Sequence, residues 1–289
     1  MQKTLKDCLA EAKIAKRAIG HFNISTIDGL WAIFNAARAL DLPVVIGASE
    51  GERDFIGVKQ TALLVRSLRE EYDYPIFANA DHTYSLERCK EAIDAGYDSV
   101  IFDGAKLPLE ENIKITKEVV AYARASGREV LVEGELGYIG QSSQVLDALP
   151  SGAALSESEL TTPEDAVRFV KETGVDCFSP AIGSVHGMLR SSHDPDLHIK
   201  RLSEVSSAVS LPLVLHGASG LTDETVRDAI AAGISLVHVN TELRVAWRNA
   251  LRLSLQEKED EVAPYKILRP ALSEMQKLVE KKLRLFAGL

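Results

Sequence analysis

Three histidines, His82, His186 and His216, stand where an imidazole can serve as a metal ligand. Each follows a short apolar run, and His186 and His216 are each followed by glycine. A lone histidine after a strand is ordinarily just hydrogen-bonded; three at equivalent positions read differently. Three neutral imidazoles around a cation with an open fourth position make a catalytic zinc arrangement, and carboxylates nearby offer an alternative or second position. Asp81 adjoins His82, which sets an acid or base beside the cation for proton transfer; the other reading is that it orients an imidazole. Glu133 and Glu135 are two apart and share one side of a strand. Burying that pair is costly unless a cation or a substrate hydroxyl is near. His21 reads as core, and His193 and His198 as solvated residues of a polar loop and a helix start.

The stretch HGASG (216–220) is rich in small residues and precedes a helix opening with Thr222-Asp223. Its amides can form an anion-binding nest. Asn240-Thr241, after a later apolar run, would complete such a site. Arg244 lies one helical turn further on, where it reaches a second anion or forms a surface salt bridge.

Eight apolar runs deliver these groups: 18–23, 43–48, 74–81, 98–103, 129–135, 176–183, 211–217 and 234–240. They are short, and several are rich in Val and Ile, as buried parallel strands are. Amphipathic stretches separate them, and Gly96, Gly127, Gly174 and Gly233 stand where helices should stop. Eight strand–helix units predict a (β/α)8 TIM barrel over residues 1–289 as a single domain, with an open doubly wound sheet as the alternative. In a barrel the chemistry belongs at the C-terminal ends of the strands, and six consecutive runs end in ionisable or metal-capable groups. The links 136–162 and 184–195 are long enough to be lids. The tail PALSEMQKLVEKKLRLF reads as an extra C-terminal helix that caps the barrel or joins a partner subunit.

Composition narrows the partners. With 46% hydrophobic and 26% charged residues, the 289-residue chain is ordinary for a globular enzyme. A net charge of -9 argues against nucleic acid bound through its phosphates but leaves room for a small phosphorylated substrate. Cys8, Cys89 and Cys177 are odd in number, with no CxxC, which points to a reducing compartment, the cytoplasm. The N-terminal stretch has no apolar signal core, and no run approaches a membrane span.

The motifs ADH (80–82), SVIFDGAKLPLEENI (99–113), VEGELG (132–137), DCFSPAIGSVHG (176–187), LPLVLHGASG (211–220) and VNTE (239–242) resemble those of the class II, metal-dependent fructose-bisphosphate and tagatose-bisphosphate aldolases. The resemblance covers nearly the whole chain. It implies a lyase acting on a ketose 1,6-bisphosphate to give dihydroxyacetone phosphate and an aldehyde such as glyceraldehyde 3-phosphate. The metal would polarise the ketone and stabilise the enediolate. His82, His186 and His216 match zinc ligands, Asp81 the catalytic acid/base, and Asp103 and Glu135 the carboxylates of the alternative metal position. Gly187, Gly217, Ala218, Ser219, Asn240 and Thr241 match contacts to dihydroxyacetone phosphate. Arg244 resembles the arginine that meets the far phosphate, and a monovalent cation, Na+ or K+, accompanies the near one. A homodimer or homotetramer is implied.

Three stretches depart from that pattern. YIGQSSQ (138–144) lacks the acid that the family carries on a mobile loop to remove the ketose proton. His238 replaces an asparagine of the substrate site, and Met188, Leu189 and Arg190 replace a Tyr-Lys pair after HG. Two alternatives follow: a metal-dependent sugar-phosphate epimerase or isomerase, and a non-catalytic aldolase-like subunit.

Overall fold

The computed structural model describes residues 3–140, 144–153, 155–190, 194–257 and 259–289. Along the chain run α1 (Leu5–Ile14), β1 (Ile19–Asn23), α2 (Ile27–Leu40), β2 (Val44–Ala48), α3 (Glu50–Ile56), α4 (Val58–Tyr72) and β3 (Ile76–Thr83). There follow α5 (Leu86–Ala95), β4 (Ser99–Phe102), α6 (Leu109–Ala125), β5 (Leu131–Leu136), β6 (Val145–Leu146), α7 (Pro163–Thr173), β7 (Cys177–Pro180) and β8 (Met188–Leu189). The chain ends with α8 (Ile199–Ala208), β9 (Leu213–Leu215), α9 (Asp223–Ala231), β10 (Ile234–Val239), α10 (Thr241–Glu257), α11 (Pro264–Ile267) and α12 (Arg269–Ala287). Among the described residues, eight parallel strands close in the order β1-β2-β3-β4-β5-β7-β9-β10, and β10 pairs back onto β1. The barrel is therefore closed, not an open sheet. Each of the eight apolar runs carries one of its strands, β3 running two residues past its run to Thr83 and β5 one residue past its run to Leu136.

Alternate strand residues face the two sides of the wall. Phe22, Ile46, Ala78, Val100, Val132, Phe178, Leu215 and Val237 belong to the main core with the helices. The opposite face changes character along the axis. At the N-terminal end Ile19, Val45, Phe77, Leu131, Cys177, Val214 and Leu236 form a separate apolar plug, covered by Leu5, Cys8 and Leu9 of α1. Burial of each leucine contributes about 2 kcal/mol, and a reciprocal Thr4–Asp7 cap starts the helix. Two residues further along these faces stand His21, Asn79, Glu133, Ser179, His216 and His238, all buried. The inside of the barrel thus passes from oil to ionisable groups within two residues.

The sequence reading assigns no helix between the second and third runs, yet α3 and α4 fill it, and Ser49 and Glu52 close a capping box on α3. The two long links are joined edge to edge by β6 and β8, which pair in parallel. Residues 141–143 of the YIGQSSQ stretch and His193 lie outside the described residues. In α12, Ala271, Met275, Val279, Leu283 and Phe286 are buried, and the helix lies against α2, α10 and β1. The tail therefore covers the flank of its own barrel. No helix among the described residues is long and apolar enough to cross a membrane.

Candidate metal centre

A regular strand would send Asp81 and His82 to opposite faces. Here the β3–β4 register shifts between Ala80 and Thr83, and His82 has φ 34, in the left-handed region that non-glycine residues rarely adopt. This irregularity lets both side chains reach the barrel mouth. The buried guanidinium of Arg53 holds it in place, donating to the Ala48 carbonyl, to the Asp81 carbonyl at 2.9 Å and to Thr83 Oγ1 at 3.0 Å. His186 is carried by the link after β7, where its N–H donates to the Ile139 carbonyl at 2.9 Å. His216 follows β9. The next residue, Gly217, has φ 70, and a Cβ there would lie 2.2 Å from the Val185 carbonyl oxygen. Only glycine allows the His216 turn to pass that close to the His186 link.

The three rings converge. Centroids of His82 and His186 are 4.6 Å apart, those of His82 and His216 4.8 Å, and those of His186 and His216 5.7 Å. One nitrogen from each lies within 4.8 Å of the other two. Carboxylates fix the ring orientations: His82 Nδ1 is 3.0 Å from Asp103 Oδ2, and His216 Nε2 is 2.7 Å from Glu133 Oε1. That leaves His82 Nε2 for a ligand, and it leaves His216 Nδ1 buried with no hydrogen-bond partner. Such an orphaned nitrogen beside two more imidazoles fits a divalent cation, with carboxylates behind the ligands setting their tautomers. His82, Asp103 and Glu135 make a second group within the same spacing, and Glu135 Oε1, 3.2 Å from His216 Nε2, is buried without a hydrogen-bond partner. This gives the alternative position a physical basis.

The charges are strongly perturbed. Burial depresses His216 to about 3, helped by the neighbouring His82. It also depresses His186 far below the usual imidazole value, with His82 and His216 adding. Burial opposes ionisation of His82 as well, but Asp81, Glu135 and Asp103 outweigh it and hold His82 well above the ordinary value. Burial lifts Glu133 to about 7, offset in part by His238 and His21. These shifts favour the protonated form of His82 and the neutral forms of His186 and His216. A cation held by the three imidazoles would displace the proton that His82 favours. Zinc affinity is expected to rise about tenfold per pH unit up to the His82 pKa. Calorimetry in buffers of different ionisation enthalpy should show about one proton released; a binding heat independent of buffer would contradict the assignment.

Asp81 has its Oδ2 held by Asn23 Nδ2 at 2.8 Å. Its Oδ1 has no hydrogen-bond partner and lies 3.5 Å from His238 Nδ1 and 3.7 Å from His82 Nε2. Burial would raise its pKa, yet His82 and His238 pull it well below the usual carboxylate value. Gly187, Gly217, Ser219, His238, Asn240 and Thr241 line a narrow pocket shared with Asp81 and the three histidines. Ala218 begins the 3-10 turn beneath it. A cleft of about 310 Å³ opens from the same centre, walled by Ser49, Glu50, Gly51, Tyr84, Gln144 and Arg244.

One expectation needs correction. His198 is not simply solvated: it is half-buried, and its Nε2 is 3.1 Å from the Leu155 carbonyl oxygen. His21 is buried in the core, as the sequence reading has it. Its ring stacks on His238 at 3.5 Å and 6° on the floor of the site, in a space that exists because residue 47 is glycine. Sequence reasoning also passed over Asn23, Glu52 and Arg53. The available signal for the stack was a histidine on both the first and the last barrel strand, which closure makes neighbours.

A family model described as fructose-bisphosphate aldolase class-II matches residues 3–288. The chain is 40% identical over 283 residues to a 6-phospho-5-dehydro-2-deoxy-D-gluconate aldolase of Shouchella clausii, covering 97% of this chain and 92% of that one. It is 37% identical to a fructose-bisphosphate aldolase of Geobacillus stearothermophilus, covering 99% and 96%. The crystal structure of the YdjI aldolase from Escherichia coli K12 superposes with a TM-score of 0.83 at 29% identity, covering 99% and 97%.

Proposed function

Because the chain belongs to the class II fructose-bisphosphate aldolase family, we propose that it cleaves and forms a carbon–carbon bond in a ketose phosphorylated at carbon 1. The products are dihydroxyacetone phosphate and an aldehyde, and the ketose 1,6-bisphosphates expected from the sequence fall within this class. The observation that carries the reading is the convergence of His82, His186 and His216 beside Asp81. His82, His186 and His216 would hold a divalent cation, zinc by the chemistry of the donors, and when bound it would supply Lewis-acid polarisation of the ketone.

The protein's own groups do the rest. Asn23 pins one oxygen of Asp81, so the other takes or returns the proton of the hydroxyl at the breaking bond. The amides around Gly187, Gly217, Ala218 and Ser219, with Asn240 and Thr241, grip the phosphate, and a Na+ or K+ ion accompanies it. Screening zinc-loaded protein against ketose mono- and bisphosphates, with coupled detection of triose phosphate, tests the proposal. Release of dihydroxyacetone phosphate is expected. Conversion to another ketose without release would make the protein an epimerase or isomerase, and binding without turnover a non-catalytic subunit.

A further inference from the structure

The far wall of the cleft carries a charge arrangement that bears on which ketose fits. Among the described residues lining the cleft, Arg244 is the one lysine or arginine. Its Nη2 is 2.6 Å from Glu52 Oε1, and the Glu52 side chain is only 6% exposed. That carboxylate is held from several sides: Asn23 Nδ2 and the Ser49 N–H donate to it at 2.8 Å, Ser49 Oγ at 2.9 Å and Ser25 Oγ at 3.2 Å. Glu52 is thus a fixed, fully hydrogen-bonded anion directly behind Arg244, and it cancels the charge that a second phosphate would seek. Glu50 and Asp81 add two more carboxylates to the same cleft. Outside the metal centre, a phosphate entering beside Ser49 and Tyr84 meets one neutralised cation and the further acid of Glu50, and juxtaposed like charges are strongly disfavoured. Hydroxyl groups meet donors and acceptors they can use on Ser49, Glu50, Tyr84 and Arg244.

From this, and resting on the aldolase reading above, we infer that the substrate carries a single phosphate, on the dihydroxyacetone side. The aldehyde half is an uncharged polyol, selected by the Glu52–Arg244 pair. Arg248, one turn further along α10, opens on an adjoining groove of about 670 Å³ and does not line the cleft.

The test compares kcat/KM of zinc-loaded protein for D-fructose and D-tagatose 1-phosphates against their 1,6-bisphosphates, at low and high ionic strength. The 1-phosphates are expected to be favoured at least tenfold, with a smaller margin at high salt, where repulsion is screened. Glu52→Gln removes the charge but keeps the capping box of α3, which glutamine also supports. It should move the ratio toward the bisphosphates at least tenfold, and Arg244→Met in that background should reverse the gain. Preference of the wild-type protein for the bisphosphates overturns the inference, whether or not Arg248→Ala abolishes it. So does an unchanged ratio in a folded, zinc-replete Glu52→Gln variant. Absence of dihydroxyacetone phosphate from every ketose offered overturns the aldolase reading, and this inference with it.

Discussion

His216→Ala is expected to lose bound zinc and turnover together while keeping the barrel. The residue occupies a unique place in the centre. Its Nε2 is engaged by Glu133 at 2.7 Å, and its Nδ1 is buried with no hydrogen-bond partner. Removing the ring removes one of the three proposed ligands and leaves the Glu133 carboxyl buried without that partner. At about 7, Glu133 can take up a proton near neutrality, so the variant should fold at a cost of about 1–3 kcal/mol for the lost partner. Glu133→Gln provides the graded control: it keeps the ligand but weakens its orientation, and a loss of zinc affinity of about 10–100-fold is expected. Metal content by mass spectrometry and activity should fall in step across the series. An active, zinc-free His216→Ala protein would remove His216 from the centre.

Asp81→Asn should separate metal binding from chemistry. Asp81 is outside the imidazole trio, so zinc is expected to remain. The substituted amide oxygen can still accept from Asn23, which preserves the local hydrogen bond. What is lost is a carboxylate able to exchange a proton with the substrate hydroxyl, an effect of about 10²–10⁴ in kcat. KM should change little, because the interaction serves the transition state rather than ground-state binding. Turnover within a few-fold of the wild type would exclude Asp81 from proton transfer.

The barrel was largely legible because its evidence is local. Short apolar runs, amphipathic spacers and terminating glycines are local signals, and six of the eight strands fall inside their runs while β3 and β5 overrun theirs by two residues and one. The chemical rim was legible for the same reason, since His82, Asp103, Glu135 and His216 stand at or next to strand ends. What escaped depends on closure or on bent backbone. The His21–His238 stack forms only when β1 meets β10. The joint approach of Asp81 and His82 needs the register shift that Arg53 holds. Glu52 lies in a stretch to which the sequence reading assigns no helix, and only the folded chain brings it to Arg244, 192 positions away. The two long links looked like independent lids; their pairing through β6 and β8 rests on two residues from each, too few for any periodicity to announce.

An anomalous-scattering map from crystals of the zinc-loaded protein tests the centre most directly. One peak is expected at the C-terminal mouth of the barrel, about 2.1 Å from His82 Nε2, from a His186 nitrogen and from His216 Nδ1. Active protein whose zinc lies anywhere else, or that holds none, would contradict the account.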